Sequence, residues 1–142
     1  VLLLVNFNES KGQALQKIQA EKIAFFTEKM NITPSEATVF WPMYNEYQEK
    51  KHEINKRKNS VLIYYKTNQD KLNEAEIKRL TDRYVSYQQE EAKLLQTYTS
   101  RFKEILPIEK VLQIYITEAE FRKYLIEQIR QKKVKPGLRD NR

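Results

Sequence analysis

The chain has 142 residues, with 26 lysines and arginines against 19 acidic residues, one histidine, no cysteine and two glycines. This length fits one domain with a modest core. The absence of cysteine excludes disulfides and cysteine nucleophiles, and a single histidine excludes two-histidine metal sites. Because glycine is found only at Gly12 and Gly137, phosphate-binding loops and turn-rich β-sandwiches are disfavoured. The composition predicts a helical binding protein that is not an enzyme, with no cofactor, metal or small-molecule substrate.

The N-terminal segment begins with five apolar residues, 1–5, followed by polar residues up to Gln13. The run is too short to cross a bilayer, which needs about 20 residues. It has the character of the end of a secretory hydrophobic region, with small residues placed for cleavage before Gln13. The alternative is a strand or helix that packs on the body of the protein. We expect residues 1–12 to be a signal-peptide remnant or a disordered leader, and the protein to work outside the cytoplasm.

Two helices are predicted in the first half of the chain. Residues 14–30 form the first, and Asn31 ends it. Thr33 is the N-cap of the second, with Pro34 at its first helical position and Glu36 completing a capping box. From there apolar side chains recur every three or four residues, interrupted only by two lysines. The stripe comprises Ala37, Phe40, Tyr44, Tyr47, Lys51, Ile54, Lys58, Val61 and Tyr65.

The third helix is predicted to start after a polar turn at residues 67–72. Asn73 is its N-cap, and Glu74 and Glu76 lie in its first turn, where the helix dipole favours acidic groups. Pro42, inside the second helix, predicts a kink rather than an end. The apolar spacing of the third helix is again three-four. Its stripe comprises Ile77, Leu80, Tyr84, Tyr87, Glu91, Leu94, Tyr98, Arg101 and Ile105.

The two stripes match each other when the helices are paired as an antiparallel hairpin. In the best register, the basic interruption at Lys51 meets the acidic interruption at Glu91. A slip of one residue breaks both the apolar and the charge match, so this register is the one predicted. It pairs Tyr65 with Ile77, Val61 with Leu80, Ile54 with Tyr87, Tyr47 with Leu94 and Tyr44 with Tyr98.

Pro107 opens a fourth helix that is predicted to run to Gln131 and is apolar on two faces. One face packs on the hairpin, and the other is covered by the first helix, by another subunit or by a client. The fold class is therefore all-α, with four helices built on a long antiparallel helical hairpin. Residues 13–131 form a single helical domain, and residues 132–142 a basic disordered tail. The two faces carry Leu112, Tyr115, Ala119, Ile126 and Ile129, and Val111, Ile114, Phe121 and Leu125.

Several segments resemble one known family. Residues 31–37 (NITPSEA) resemble the Leu-Thr-Pro-Glu-Gln-like motif of the Spy/CpxP, LTxxQ-related family of periplasmic helical proteins. Residues 39–47 (VFWPMYNEY) are similar to a Phe-Trp-Pro-x-Tyr-Asn-x-Tyr signature in a Spy-like group described as sensors of ECF-type sigma factors. Residues 106–111 and 118–122 resemble the second block of that group. The resemblance covers residues 16–129.

This resemblance implies a Spy-like bent hairpin, dimeric and without enzymatic chemistry, in the periplasm of a Gram-negative-type envelope. Members of the family bind unfolded or partner proteins without ATP, or restrain envelope-stress signalling. Some relatives bind metals through histidine-rich termini. That role does not carry over, because this chain has only His52, next to Lys50 and Lys51.

The candidate partner-binding residues fall into two groups. A basic cluster gathers towards the hairpin tip, and is either a solvated face or a surface that attracts acidic segments of a partner. The aromatic residues of the stripes are either core or a client-binding surface. The selected residues are Lys50, Lys56, Arg57, Lys58, Lys66, Trp41, Phe121 and Leu125, and the cluster also contains Lys71, Lys78 and Arg79.

Three functions are consistent with these sequence features. The first is an exported protein-binding module that acts as an ATP-independent chaperone or an envelope-stress sensor. The second is a structural coiled-coil homodimer or scaffold, in which the spare face of the fourth helix makes the subunit contact. The third is nucleic-acid binding by the basic tip, which the export signal and the absence of a recognition motif both disfavour. No transmembrane segment is predicted.

Overall fold

The computed structural model of the chain describes residues 2–134, with side chains from residue 10 onwards. It contains four helices, α1 (Leu2–Met30), α2 (Pro34–Asn68), α3 (Glu74–Ile105) and α4 (Ile108–Val134). No strand occurs within these described residues, so the predicted all-α class is confirmed. None of the helices in this range has an apolar stretch of the length that crossing a membrane requires.

The helix boundaries largely follow the local signals. α2 begins at Pro34 as predicted and continues through Pro42 without ending. α1 begins at Leu2, well upstream of the predicted start at residue 14, because only Gly12 weakens the helix there and its environment is open. Whether residues 1–12 are a leader stays a prediction. α4 continues through residues 132–134, so the predicted tail starts as helix, and its remainder, residues 135–142, lies outside the described residues.

The start of α3 shows a complete capping box. The Asn73 side-chain oxygen Oδ1 accepts a hydrogen bond from the backbone N–H of Glu76 at 2.9 Å, and the Asn73 N–H donates to Glu76 Oε2 at 2.9 Å. Two backbone donors that would otherwise lack partners are thus satisfied. The predicted N-cap at Asn73 is confirmed, and the returning carboxylate of Glu76 adds a bond that was not predicted.

The chain divides into two compact units, of which the first comprises Val1–Pro34 and Ile108–Arg142. In this unit α1 packs against α4 through aromatic rings. The ring of Phe121 lies 5.3 Å from that of Phe25 and 6.4 Å from that of Phe26, measured between centroids. An ion pair joins Lys29 to Glu120 at 3.5 Å. The buried side chains of this unit are Phe26, Met30, Ile32, Val111, Ile114, Thr117 and Phe121.

The end of α1 is closed by a left-handed residue. Asn31 has φ 50°, its N–H donates to the carbonyl of Glu28, and the N–H of Ile32 donates to the carbonyl of Thr27 at 3.2 Å. This pair of bonds is the Schellman arrangement, which satisfies carbonyls at a helix C-terminus. Lys110 of α4 donates to the Asn31 carbonyl at 2.7 Å, so the cap also ties α1 to α4. The predicted helix end at Asn31 is confirmed.

The second unit comprises Ser35–Pro107, with most of α2 and all of α3. Its core is an aromatic cluster. The ring of Tyr47 lies 5.3 Å from that of Tyr98 and 6.2 Å from that of Phe102, and Phe40 lies 5.9 Å from Phe102. The buried side chains of this unit are Phe40, Tyr44, Tyr47, Ile54, Val61, Tyr98, Phe102 and Leu106.

The register predicted between α2 and α3 is wrong in detail. Tyr98 packs against Tyr47 rather than opposite Tyr44, a displacement of about one helical turn along α2. Tyr44 instead packs within its own helix, with its ring tilted against that of Phe40 and edge-on to that of Trp41, at 5.2 Å and 5.6 Å between ring centroids. Large rings on facing helices pack between each other rather than directly opposite. The packing of aromatic rings, rather than the matching of apolar and charged positions, therefore sets the register between α2 and α3.

The left-handed cap at Asn31 allows a direct test. Asn31→Val should lower the free energy of unfolding by about 1–2 kcal/mol, because a β-branched residue is strained at positive φ. Asn31→Gly should leave stability unchanged or raise it slightly, because glycine adopts this conformation without strain. Urea unfolding followed by circular dichroism measures both. Equal losses for the two variants would show that the asparagine side chain, and not the backbone conformation, stabilises the end of α1.

Candidate functional site

A half-buried ion pair lies between α2 and α3. Lys58 Nζ contacts Glu91 Oε2 at 2.7 Å and Gln88 Oε1 at 3.0 Å, and Asn55 donates to Glu91 at 3.5 Å. The Lys58 and Glu91 side chains are 13% and 25% exposed. The hydrogen bond from Lys58 lowers the pKa of Glu91 below its ordinary value, against the opposing effect of burial. This pair fixes the middle of the second unit.

The ion-pair partner predicted for Glu91 is wrong. Lys51 was expected to pair with Glu91, and Lys58 to belong to the partner-binding surface. Lys58 is instead the partner of Glu91, while the Lys51 ammonium lies over the ring of Tyr47, 5.7 Å from its centroid. The aromatic register explains the change, because it moves α2 along α3 and brings Lys58 within reach of the carboxylate.

Replacing the two lysines in turn tests this assignment. Lys58→Met should lower the free energy of unfolding by about 1–2 kcal/mol, because the partly buried Glu91 carboxylate loses its partner. Lys51→Met, the matched control, should change stability by less than about 0.5 kcal/mol. Chemical denaturation of both variants gives the values. The reverse ranking would restore the register predicted from the sequence.

A second charged cluster surrounds the buried ring of Tyr98. Glu46 accepts from Lys50 at 2.7 Å and from Arg101 at 3.3 Å. Both cations also lie over the Tyr98 ring, at 5.5 Å and 4.7 Å from its centroid. The hydrogen bond from Lys50 is the main cause that lowers the pKa of Glu46 to about 2, with the Tyr98 hydroxyl acting in the same direction. Lys50 was predicted as a partner-binding residue, and it is an exposed member of this network.

The lowered pKa of Glu46 predicts a pH-dependent contribution to stability. Because the folded-state pKa lies below the ordinary value of 4.5, the contribution is complete above pH 4.5 and is lost as the pH falls towards 2. The difference in melting temperature between the wild type and Glu46→Gln should therefore shrink over that range. Glu49→Gln is the control, because it removes a carboxylate from the same helix that forms no ion pair within the described residues. A difference that stays constant with pH would contradict the assignment.

The remaining residues of the predicted basic cluster differ in whether an acidic side chain pairs with them. Arg57 is bound to Glu90 at 2.7 Å, and its guanidinium carbon lies 5.1 Å from the ring centroid of Tyr87. Lys56 and Lys66 are exposed, and within the described part of the chain neither forms an ion pair. Only part of the predicted cluster is therefore available to a partner.

A cleft of about 710 Å³, here called the arginine cleft, opens between α2 and α3 near their connection. Its cationic lining is Arg57, Arg79 and Arg83, and its aromatic walls are Tyr64 and Tyr87. Sequence reasoning placed Arg57 and Arg79 in the basic cluster but missed Arg83 and Tyr64. Arg79 and Arg83 are four residues apart and share one helix face, which was the available signal. The apolar floor of the arginine cleft is formed by Val61, Leu72 and Leu80.

A smaller cleft of about 230 Å³, here called the apolar cleft, shares Val61 and Leu80 with the arginine cleft. Its remaining lining includes Leu62, Tyr65 and Ile77. Tyr65 was expected in the buried stripe opposite Ile77, but it is 39% exposed. The buried core of α2 thus ends at Val61, and the stripe beyond it lines open surface.

The partner-binding role predicted for one face of α4 needs correction. Phe121 is buried against Phe25 and Phe26 of α1, and Leu125 is half-buried. Of the three expected covers for this face, the one observed is the first helix. Trp41, the remaining aromatic candidate, is half-buried, with its ring 4.9 Å from that of Phe40.

The opposite face of α4 carries the exposed apolar side chains. They are spaced as one helix stripe and are between 50% and 64% exposed. Sequence reasoning recognised both apolar faces but not which one α1 covers, because the two faces have similar composition. The members of this stripe, here called the α4 stripe, are Ile108, Leu112, Ile116, Ile126 and Ile129.

Within the described residues, no three acidic or histidine side chains are grouped in a way that could hold a metal ion. His52, as expected, is an exposed helix residue. No protein-family model, curated protein or solved structure matches the chain. The resemblance to the Spy/CpxP family accordingly stays a prediction based on the sequence motifs.

Proposed function

We propose that the chain is an exported, non-enzymatic protein-binding module of the Spy/CpxP type, acting in the periplasm as an ATP-independent chaperone or an envelope-stress sensor. The observation that carries this proposal is the α4 stripe. Five aliphatic side chains on this one helix are at least half exposed, and exposed apolar area of this kind is typical of protein-binding sites. The sequence motifs shared with the family support the same assignment.

The proposal includes an antiparallel hairpin of α2 and α3. In support, the partners on α3 descend in number as those on α2 rise: Phe40 contacts Phe102, Tyr47 contacts Tyr98, and Lys58 contacts Glu91. A homodimer belongs to the same proposal, as the family resemblance implies.

The chaperone role predicts that the α4 stripe controls aggregation of an unfolded client. The double variant Leu112→Ser, Ile126→Ser should need about tenfold more protein than the wild type to suppress aggregation, because each substitution removes apolar contact with the client. Light scattering of an aggregating client, without ATP, measures this concentration. Val85→Ser with Leu95→Ser, which changes similarly exposed aliphatic residues on α3, is the matched control and should retain the activity. Wild-type protein that suppresses nothing at molar excess would refute the chaperone role.

The spacing of the α4 stripe also favours the second candidate, a structural homodimer. Ile108, Leu112, Ala119, Ile126 and Ile129 all fall on a and d positions of one heptad pattern, the positions that form a coiled-coil seam. Light scattering coupled to size exclusion separates the two candidates. If the α4 stripe variant becomes a folded monomer and still suppresses aggregation, the stripe serves assembly alone. If it keeps its mass and loses suppression, the stripe binds clients.

A further inference from the structure

Among the residues that the structure describes, two arginines of the second unit form no ion pair, although neighbouring cations are neutralised. Arg57 is bound to Glu90, and Lys58 to Glu91. Arg79 and Arg83 line the arginine cleft and are exposed, and within the described residues neither forms an ion pair.

The acidic residue of the arginine cleft is committed elsewhere. Glu76 lines the cleft, but its carboxylate accepts the N–H of Asn73 in the capping box at 2.9 Å. It therefore stabilises the start of α3, and within the described residues no ion pair joins it to Arg79 or Arg83. Its single charge offsets at most one of the two arginines. The cleft keeps an excess of positive charge, which favours an anionic occupant.

Guanidinium groups match one class of anion especially well. Each presents a planar fork of donors that binds a carboxylate through two parallel hydrogen bonds. Because Arg79 and Arg83 are four residues apart on one face of α3, the two forks suit acidic groups that are spaced along an extended ligand. The aromatic wall at Tyr64 is 53% exposed and offers a face for an apolar or aromatic side chain.

The lining of the arginine cleft argues that the occupant is a polypeptide rather than a compact anion. Beside the two arginines, the floor of the cleft is apolar and is formed by Val61, Leu72 and Leu80. A ligand that fills the cleft therefore needs carboxylates with apolar side chains next to them, which a peptide with both acidic and apolar residues supplies.

We propose that the arginine cleft is a binding site for an acidic polypeptide segment that carries apolar side chains. Arg79 and Arg83 bind its carboxylates, and Val61, Leu80 and Tyr64 contact its apolar groups. The inference rests on the proposed protein-binding function and adds the class of segment that is recognised. The site is separate in the chain from the α4 stripe.

The test uses the full chain and a short fluorescein-labelled peptide in which glutamates alternate with leucine and phenylalanine. Fluorescence anisotropy should show binding that weakens as salt is raised. Arg79→Gln with Arg83→Gln should weaken it by about tenfold per arginine, since each substitution removes a charge-assisted pair of bonds. Lys71→Gln with Lys78→Gln removes the same charge nearby, outside the cleft lining, and should cost less than about twofold.

Three results would overturn the site. Equal weakening by the arginine and lysine double variants would mean that only the general positive charge attracts the peptide. Undiminished binding of a peptide with glutamine in place of glutamate would exclude carboxylate recognition. Displacement of the peptide by inorganic polyphosphate at similar affinity would show a site for anions alone.

This test also separates the two proposals. A chain that suppresses aggregation but does not bind the acidic peptide refutes the cleft and leaves the chaperone role standing. A chain that binds the peptide through Arg79 and Arg83 but suppresses no aggregation refutes the chaperone role and leaves the cleft standing.

Discussion

The packing of aromatic rings between α2 and α3 is the interaction on which the second unit depends. Tyr47 lies against Tyr98 and Phe102, and Phe40 against Phe102, all with centroids within about 6 Å. Each such pair contributes about 0.5–1.5 kcal/mol beyond its buried area, so the cluster outweighs any single exposed ion pair. The rings set the position of one helix along the other, and the charges then pair with whichever partners that position brings close.

The same packing explains why the end of the second unit near the α2–α3 connection is open. The buried rings are concentrated at the other end, and beyond Val61 no buried side chain follows on α2. Apolar residues continue past that point, but at 39–63% exposure Leu62, Ile63, Tyr64 and Tyr65 line surface instead of core. Because the apolar stripe of α2 continues beyond the buried core, clefts remain open on the helix pair. These are the arginine cleft and the apolar cleft, both of which Leu80 lines.

The features predictable from the sequence are those governed by neighbouring residues. Pro34, Asn73 and Asn31 mark helix ends because capping and left-handed conformations involve only residues a few positions apart. The pairing of Lys58 with Glu91 and the burial of Phe121 depend on residues far away in the chain. Charge complementarity alone favoured Lys51 as the partner of Glu91. The packing of aromatic rings cannot be read from a pattern of apolar and polar residues, so the sequence did not indicate Lys58. The choice between two similar apolar faces of α4 was undetermined for the same reason.

The distribution of unpaired groups separates structural from binding surfaces. Around the cores, cations are neutralised: Lys58 by Glu91, Arg57 by Glu90 and Lys29 by Glu120. At Arg79 and Arg83 and along the α4 stripe, charge and apolar area remain exposed, although exposed aliphatic surface promotes association. The net positive charge of the chain does not by itself explain why Arg79 and Arg83 lie beside an apolar floor, because exposed lysines such as Lys56 and Lys66 carry charge on ordinary helix surface. The combination of fixed charge, aromatic wall and apolar floor in one place is what points to a polypeptide ligand.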